Sequence, residues 1–404
     1  MDEAFPDKPV FLTRIDGHAA LANSVALEKA GIDGNTAVKG GKILKKGGQP
    51  TGVLIDNATS LVSKLIPEPT LEEKISALQK GADNCYAVGL TSVADAGLDH
   101  EPIELMDSLQ QAGKLKIQTY VMLSPTEKNL KKYMEKGAYR TPYMHIESIK
   151  LFADGALGSR GACLLQPYSD APQTTGFLVT PTEELKKYAQ MAYENDYQVN
   201  THAIGDSANR VMLEIYGEIL QSNNDRRWRI EHAQIIHPDD YSMFGKYSII
   251  PAVNTTHATS DMYWADERLG KERLKHAYPY RKLLGENGWL PNGSDFPVEH
   301  INPLYGFYAA VARKDLEGYP EEGFQQENAL NRKQALKAMT LWAARAMFEE
   351  DEKGSIEAGK KADLVVTNKD IMEIPMNRVP EVKVVRTLVQ GEEVYHADKQ
   401  GSGK

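Results

Sequence analysis

From residue 70 onward, stretches with apolar residues at helical intervals alternate with short apolar runs of strand character, the pattern of a parallel sheet covered by helices. Thr70 and Glu73 have capping-box spacing and open a segment in which Leu71, Ile75, Leu78, Ala82 and Cys85 recur every three or four residues, with Gly89 as its stop. The strand expected over Leu90–Asp95 is followed by further strands starting near Leu115, Ser148, Gln198, Arg227, Tyr247 and Trp289. Thr180-Pro181-Thr182-Glu183 supplies a helix start between the strands at Ser148 and Gln198. Seven strands, each followed by a helix-sized span, fit seven of the eight βα units of a TIM barrel. An open doubly wound sheet is the competing arrangement, and it loses weight because neither G-x-G-x-x-G nor G-x-x-x-x-G-K-[ST] occurs.

The flanks follow different patterns. Residues 1–65 contain a strand-like Val10–Leu12, a helix-like Asn23–Ala30 and loops at Gly40-Gly41 and Gly47-Gly48. Asn331 and Gln334 resemble a capping pair before Ala335, Leu336, Met339 and Ala343. Beyond residue 350, apolar runs at Ala362–Thr367 and Val382–Val394, broken by Gly391, predict a small β appendage, and the polar last eight residues predict a frayed end. The expected organisation is therefore 1–65, a barrel over 66–350 and a small β-domain over 351–404.

Composition narrows the class. The 404 residues are 41% hydrophobic and 25% charged, ordinary for a globular chain. With 47 basic against 56 acidic residues, the net charge is −9 and no basic run could neutralise a phosphate backbone, so nucleic acid is not an expected partner. No apolar stretch is long enough to cross a bilayer, so no membrane partner is expected either. Two cysteines make no disulfide framework and favour a reducing, cytoplasmic setting.

Two of the ten histidines, His202 and His232, lie near the C-terminal ends of apolar strands, and Asp295 holds the equivalent place after Asn292-Gly293-Ser294. In a parallel barrel those ends converge on the active site. Two imidazoles and a carboxylate suit Zn²⁺ or a similar divalent ion with an open position for water, and a carboxylate such as Asp295 then accepts a proton from the attacking water. The bland alternative is three separate hydrogen-bonded structural residues. Lys150, between Ile149 and Leu151-Phe152, is a lysine in an apolar strand. Either it is ion-paired, with Asp154 or Glu147, or its neutral amine is carboxylated to an anionic metal bridge. No G-x-S-x-G is present.

Six ordered motifs carry a resemblance: IKLFADGALGSR (149–160), THAIGD (201–206), RIEHAQ (229–234), THATSD (256–261), GSDFPV (293–298) and GSIEAGKKADLV (354–365), joined by PVFLTRIDGHAA (9–20) in an insertion. They resemble the amidohydrolase superfamily, and within it amidohydrolase family 3, which includes the N-substituted formamide deformylases. The resemblance implies a metal-dependent α/β TIM barrel with a small β-sandwich, hydrolysing a carbon–nitrogen bond in a small amide-like substrate. It implies His202, His232 and Asp295 as metal ligands, Asp295 also as the catalytic base, Lys150 as a carboxylated bridging ligand and zinc as the metal. His18, Arg160 and His257 match positions near the substrate, while Phe152, Trp264 and Phe296 supply either an apolar wall or core. The family's first barrel strand ends in His-x-His, which occurs nowhere in this sequence. The chain is accordingly expected to be N-terminally truncated, with residues 1–65 forming the insertion after an absent first strand. Weak turnover follows unless self-association or the missing segment completes the barrel, and a noncatalytic small-molecule-binding pseudoenzyme is the alternative.

Overall fold

The computed structural model describes residues 1–398. Its N-terminal part is an antiparallel sheet of β1 (Phe11–Thr13), β2 (Ala19–Ala22), β3 (Gly41–Lys46) and β4 (Gln49–Asp56), in the order β1-β2-β4-β3. Asn23 caps the Ser24–Lys29 helix by accepting from the Ala26 N–H, and it also accepts from Val10 N–H at 2.8 Å. One side chain thereby fixes both the helix start and the chain entering β1. Leu27, Ile32, Ile43, Leu54 and Val62 close a small core behind this sheet.

The central sheet contains β5 (Ser92–Leu98), β6 (Gln118–Leu123), β8 (Met144–Phe152), β9 (Gln198–Ala203), β10 (Arg229–His232) and β11 (Ile250–Ala252), all parallel and in the order β11-β10-β9-β8-β6-β5. A short β7 (Tyr139–Arg140) pairs antiparallel with β8. Helices Leu71–Ala87, His100–Gln111, Thr182–Glu194 and Asp206–Leu220 cover the sheet. The first begins on the anticipated Thr70/Glu73 capping box, and Arg332–Met339 begins on the Asn331/Gln334 box. This is a mixed α/β fold with a curled parallel half-barrel sheet.

The expected strand near Trp289 is reduced to one parallel bridge between Val253 and Asn292. Pro291 has no N–H to give a ladder and Gly293 no side chain to pack. Only Val253 N–H to Pro291 O and Gly293 N–H to Val253 O remain, each 3.0 Å. Among the described residues β5 has no partner on its outer side, so the sheet stays open between β5 and the Asn292 segment.

At the C-terminal end, β12 (Leu364–Thr367), β13 (Val384–Val389) and β14 (Glu392–His396) form an antiparallel sheet with its hairpin at Gln390-Gly391, both at positive φ. It is anchored to the first covering helix by Thr387 Oγ1 donating to Tyr86 O at 2.7 Å. The frayed end expected for the last eight residues lies mostly outside the described residues. No helix among the described residues is long and apolar enough to cross a membrane.

Trp228, fully buried just before β10, packs edge-on against Tyr216 at 4.9 Å and donates its indole N–H to Tyr197 O at 3.1 Å. It joins β9, β10 and their helices at the N-terminal end of β10, four residues before His232. Trp228→Ala is expected to cost about 3–5 kcal/mol, since the cavity adds to the lost transfer free energy. A urea titration showing less than ~1 kcal/mol lost would contradict this packing role.

Candidate active site

Register decides which side chains meet. In a parallel sheet, paired residues point to the same face, and Phe152, His202 and Glu231 form one row across β8, β9 and β10. Lys150, Asn200 and Arg229 form the row beneath it. Strict alternation would turn His232 away from this face. His232 instead has φ 74° and Ala233 φ 41°, so the chain leaves strand geometry and the imidazole comes back beside His202. The two ring centroids are 4.5 Å apart, at an interplanar angle of 69°.

Each ring has one nitrogen engaged. His232 Nδ1 lies 2.9 Å from Asn254 Oδ1, and His202 Nε2 lies 3.4 Å from Gly155 O. Because both partners are acceptors, each engaged nitrogen donates, leaving His202 Nδ1 and His232 Nε2 as lone pairs in the neutral rings. Burial holds the pKa of His202 well below the ordinary value, with His232, His18 and Lys150 adding to the effect. Burial also lowers His232 to about 4 against the opposing pull of Asp295.

Lys150 is buried and forms neither of the two expected ion pairs. Glu147 is held by His145 and Arg140, and Asp154 accepts backbone N–H groups of Ile204, Gly205 and Cys163 at 2.8–3.0 Å. The Lys150 ammonium sits 3.6 Å from the Phe152 ring centroid. Burial brings its pKa down to about 8, with Glu231 and Asp295 working against that fall. The ammonium therefore remains the major form at neutral pH, with the neutral amine a minor but accessible one.

Asp295 is exposed, at φ 53°, and its charge acts on Lys150, His232 and His257. His257 stacks on His232 at 5.7 Å, and its Nε2 is buried without a partner. His18, from the N-terminal sheet, stands with its ring 5.0 Å from that of His202. Arg160 is turned to Asp170 through two hydrogen bonds of 3.1 and 2.6 Å, and Arg268 pairs with the same carboxylate. Phe152 and Phe296 are exposed, whereas Trp264 packs against the main core. Reading the sequence missed Asn254 and Asp56, the partners of His232 and His18. Asn254 follows a predicted strand, a place where chemistry is expected, but nothing local marks Asp56.

Among the described residues no set of three His, Cys, Asp or Glu side chains converges into a metal-holding array. The donor chemistry nevertheless fits a metal in part: two neutral imidazoles present free nitrogens, each oriented by a carbonyl acceptor on its other nitrogen, as metal-binding histidines are. The third and fourth donors available nearby are Asp295 and the Lys150 amine.

The sequence profile of the Amidohydrolase family matches residues 1–395. The chain belongs to the amidohydrolase family. Protein LONG AFTER FAR-RED 3 of Arabidopsis thaliana is 32% identical over 412 residues, spanning 98% of this chain and 70% of that protein. The N-substituted formamide deformylase of Arthrobacter pascens is 28% identical over 424 residues, spanning 100% of this chain and 76% of the relative. An uncharacterized metal-dependent hydrolase from Pyrococcus horikoshii OT3 superposes with a TM-score of 0.76 at 29% identity, over 92% of this chain and 73% of that one. Family membership and this likeness support a hydrolase function and a divalent metal for this amidohydrolase.

The buried imidazoles have a consequence for acid stability. Burial lowers His257 from 6.5 to about 4, so on unfolding between those pH values the ring takes up a proton. A depressed pKa therefore contributes stability above pH 6.5 that is lost as the pH falls toward 4. Asp154 and Asp261, both raised by burial to about 7, act with the opposite sign, so the informative quantity is a difference between variants. Between pH 7 and 5, His257→Gln should lose less stability than the unsubstituted chain, by at most ~1.4 kcal/mol per pH unit. Parallel stability curves for the two proteins in urea titrations would refute the assignment.

Proposed function

We propose that this amidohydrolase cleaves a carbon–nitrogen bond other than a peptide bond in a small amide-like molecule. The observation that carries this reading is the pair of neutral imidazoles, His202 and His232, side by side with one free nitrogen each. The name of the Arthrobacter pascens relative supports an N-substituted formamide as the starting substrate class. A divalent ion, zinc foremost, would be held by His202, His232 and Asp295, with a carboxylated Lys150 as a further ligand, and would supply carbonyl polarisation and a water ionised near neutral pH.

The remaining work belongs to the chain. Asp295, exposed at the mouth, accepts a proton from the attacking water and returns it to the leaving nitrogen. Phe152 and Phe296 offer an apolar wall to the substituent on that nitrogen, and His257, with its unpartnered Nε2, meets a polar group of the substrate. Arg160 orders the mouth through Asp170, since its guanidinium is already committed there. With the sheet open between β5 and Asn292, turnover is expected to be slow.

One observation favours a second reading, a noncatalytic binder of small amides: the three His and carboxylate donors do not converge into an array. Elemental analysis with a panel of amides and esters separates the two. The hydrolase reading expects about one tightly held divalent ion and turnover that a chelator abolishes, with Asp295→Asn lowering kcat on the order of 10²-fold or more. His202→Ala and His232→Ala should also weaken metal retention. Saturable amide binding without any metal-dependent turnover would instead establish the binder.

A further inference from the structure

Of the residues expected near the substrate, His18 has no task in the proposed reaction, and it forms a polar pair with Asp56 of the same N-terminal sheet. Asp56, the last residue of β4, donates its backbone N–H to His18 O at 3.0 Å, and its carboxylate Oδ1 lies 2.7 Å from His18 Nδ1. The Asp56 side chain is only 2% exposed, its φ is +50°, and its Oδ2 is buried without a hydrogen bond. Space for this carboxylate exists because residues 155 and 161 are glycines. A Cβ on either would come within 2.5 Å of a carboxylate oxygen. Burying a carboxylate with so few partners, on left-handed backbone, is unfavourable, and the contact with His18 is what offsets part of that cost.

What it fixes is the imidazole. A carboxylate only accepts, so His18 donates through Nδ1, and in the neutral ring Nε2 keeps its lone pair. The ring stands 5.0 Å from His202, whose ring in turn lies 5.8 Å from Phe152, and the His18 side chain retains 20% exposure. With Nδ1 facing the buried carboxylate, Nε2 is the edge left to the open site. An amide offers a carbonyl oxygen, which accepts, and in a secondary amide an N–H, which donates. Only the N–H complements a lone pair.

We propose that His18, oriented by Asp56 as a positioning residue, accepts a hydrogen bond from the substrate N–H and so selects secondary amides over N,N-disubstituted ones. This rests on the amide-hydrolase reading and names the substrate class within it. A site that holds an acceptor for an N–H rejects an analogue lacking that donor, because its own acceptor is left unpaired.

The test compares kcat/KM for N-butylformamide and N-butyl-N-methylformamide with the zinc-supplemented chain. The secondary amide should be favoured by at least about tenfold. His18→Ala and Asp56→Ala should each collapse that preference to within about threefold. Asp56→Asn, which keeps a carbonyl acceptor for Nδ1–H, should retain most of it, and Asp56→Ala should cause no further loss of preference in a His18→Ala background. Should Asp56→Ala fail to fold, Asp56→Asn and His18→Ala carry the comparison. Calorimetric binding of 2-pyrrolidinone against N-methyl-2-pyrrolidinone gives the same readout without turnover. Binding with the N–H preference but hydrolysis of neither amide overturns the hydrolase reading and leaves His18 in place. Equal turnover of both amides, or a preference that survives His18→Ala, overturns the His18 assignment and leaves the hydrolase reading in place.

Discussion

One buried carboxylate holds the site's scaffold together. Asp154, just past the end of β8, accepts N–H groups from Ile204 and Gly205 after β9 and from Cys163 in its own loop. Two loops that share no strand are thereby closed onto each other, and the carbonyl that meets His202 comes from the adjoining Gly155. Lys150 and His202 lie on adjacent strands, in neighbouring rows of the same face, and both are buried. Burial keeps both imidazoles neutral and lowers the pKa of the lysine amine as well, so the same low-polarity environment favours the uncharged form of each group.

The geometry is concentrated at positions where the backbone departs from regular structure. His232, Asp295, Asp56 and Arg160 all have positive φ; His232 and Asp56 end strands, Arg160 lies in the loop after β8, and Asp295 follows the Asn292 bridge. Such backbone persists only when its surroundings over-determine it. Here the surroundings are identifiable: Asn254 for His232, the Gly155 and Gly161 backbone for Asp56, and Asp170 for Arg160.

Part of the scaffold was legible because the strands at Gln198 and Arg227 are short segments set between helix-sized spans, with Val199, Ala203, Trp228 and Ile230 supplying their apolar positions. His202 and His232 stood out by their place near the C-terminal ends of those segments. The strand near Trp289 misled, since its apolar residues surround Pro291 and Gly293, which cannot sustain a ladder. The partners proposed for Lys150 were near in sequence, whereas the charges that act on it, Glu231 and Asp295, arrive from other segments. The His18–Asp56 bond spans 38 residues and depends on two glycines a further hundred residues along, and no local pattern encodes it.

An irregularity in the pairing of β6 with β8 has a wider consequence. The register shifts between Val121 and Met122, so His145 pairs with Tyr120 below the shift and Ser148 pairs with Met122 above it. Both therefore face inward although they stand three positions apart. Below, His145 sits between Glu147 and Glu349 in a closed ionic floor; above, Lys150 and Phe152 reach the rim. A length change in the lower half of β8 can be absorbed at this joint without rotating the upper half, which uncouples the parts that keep the molecule folded from those free to change what it recognises.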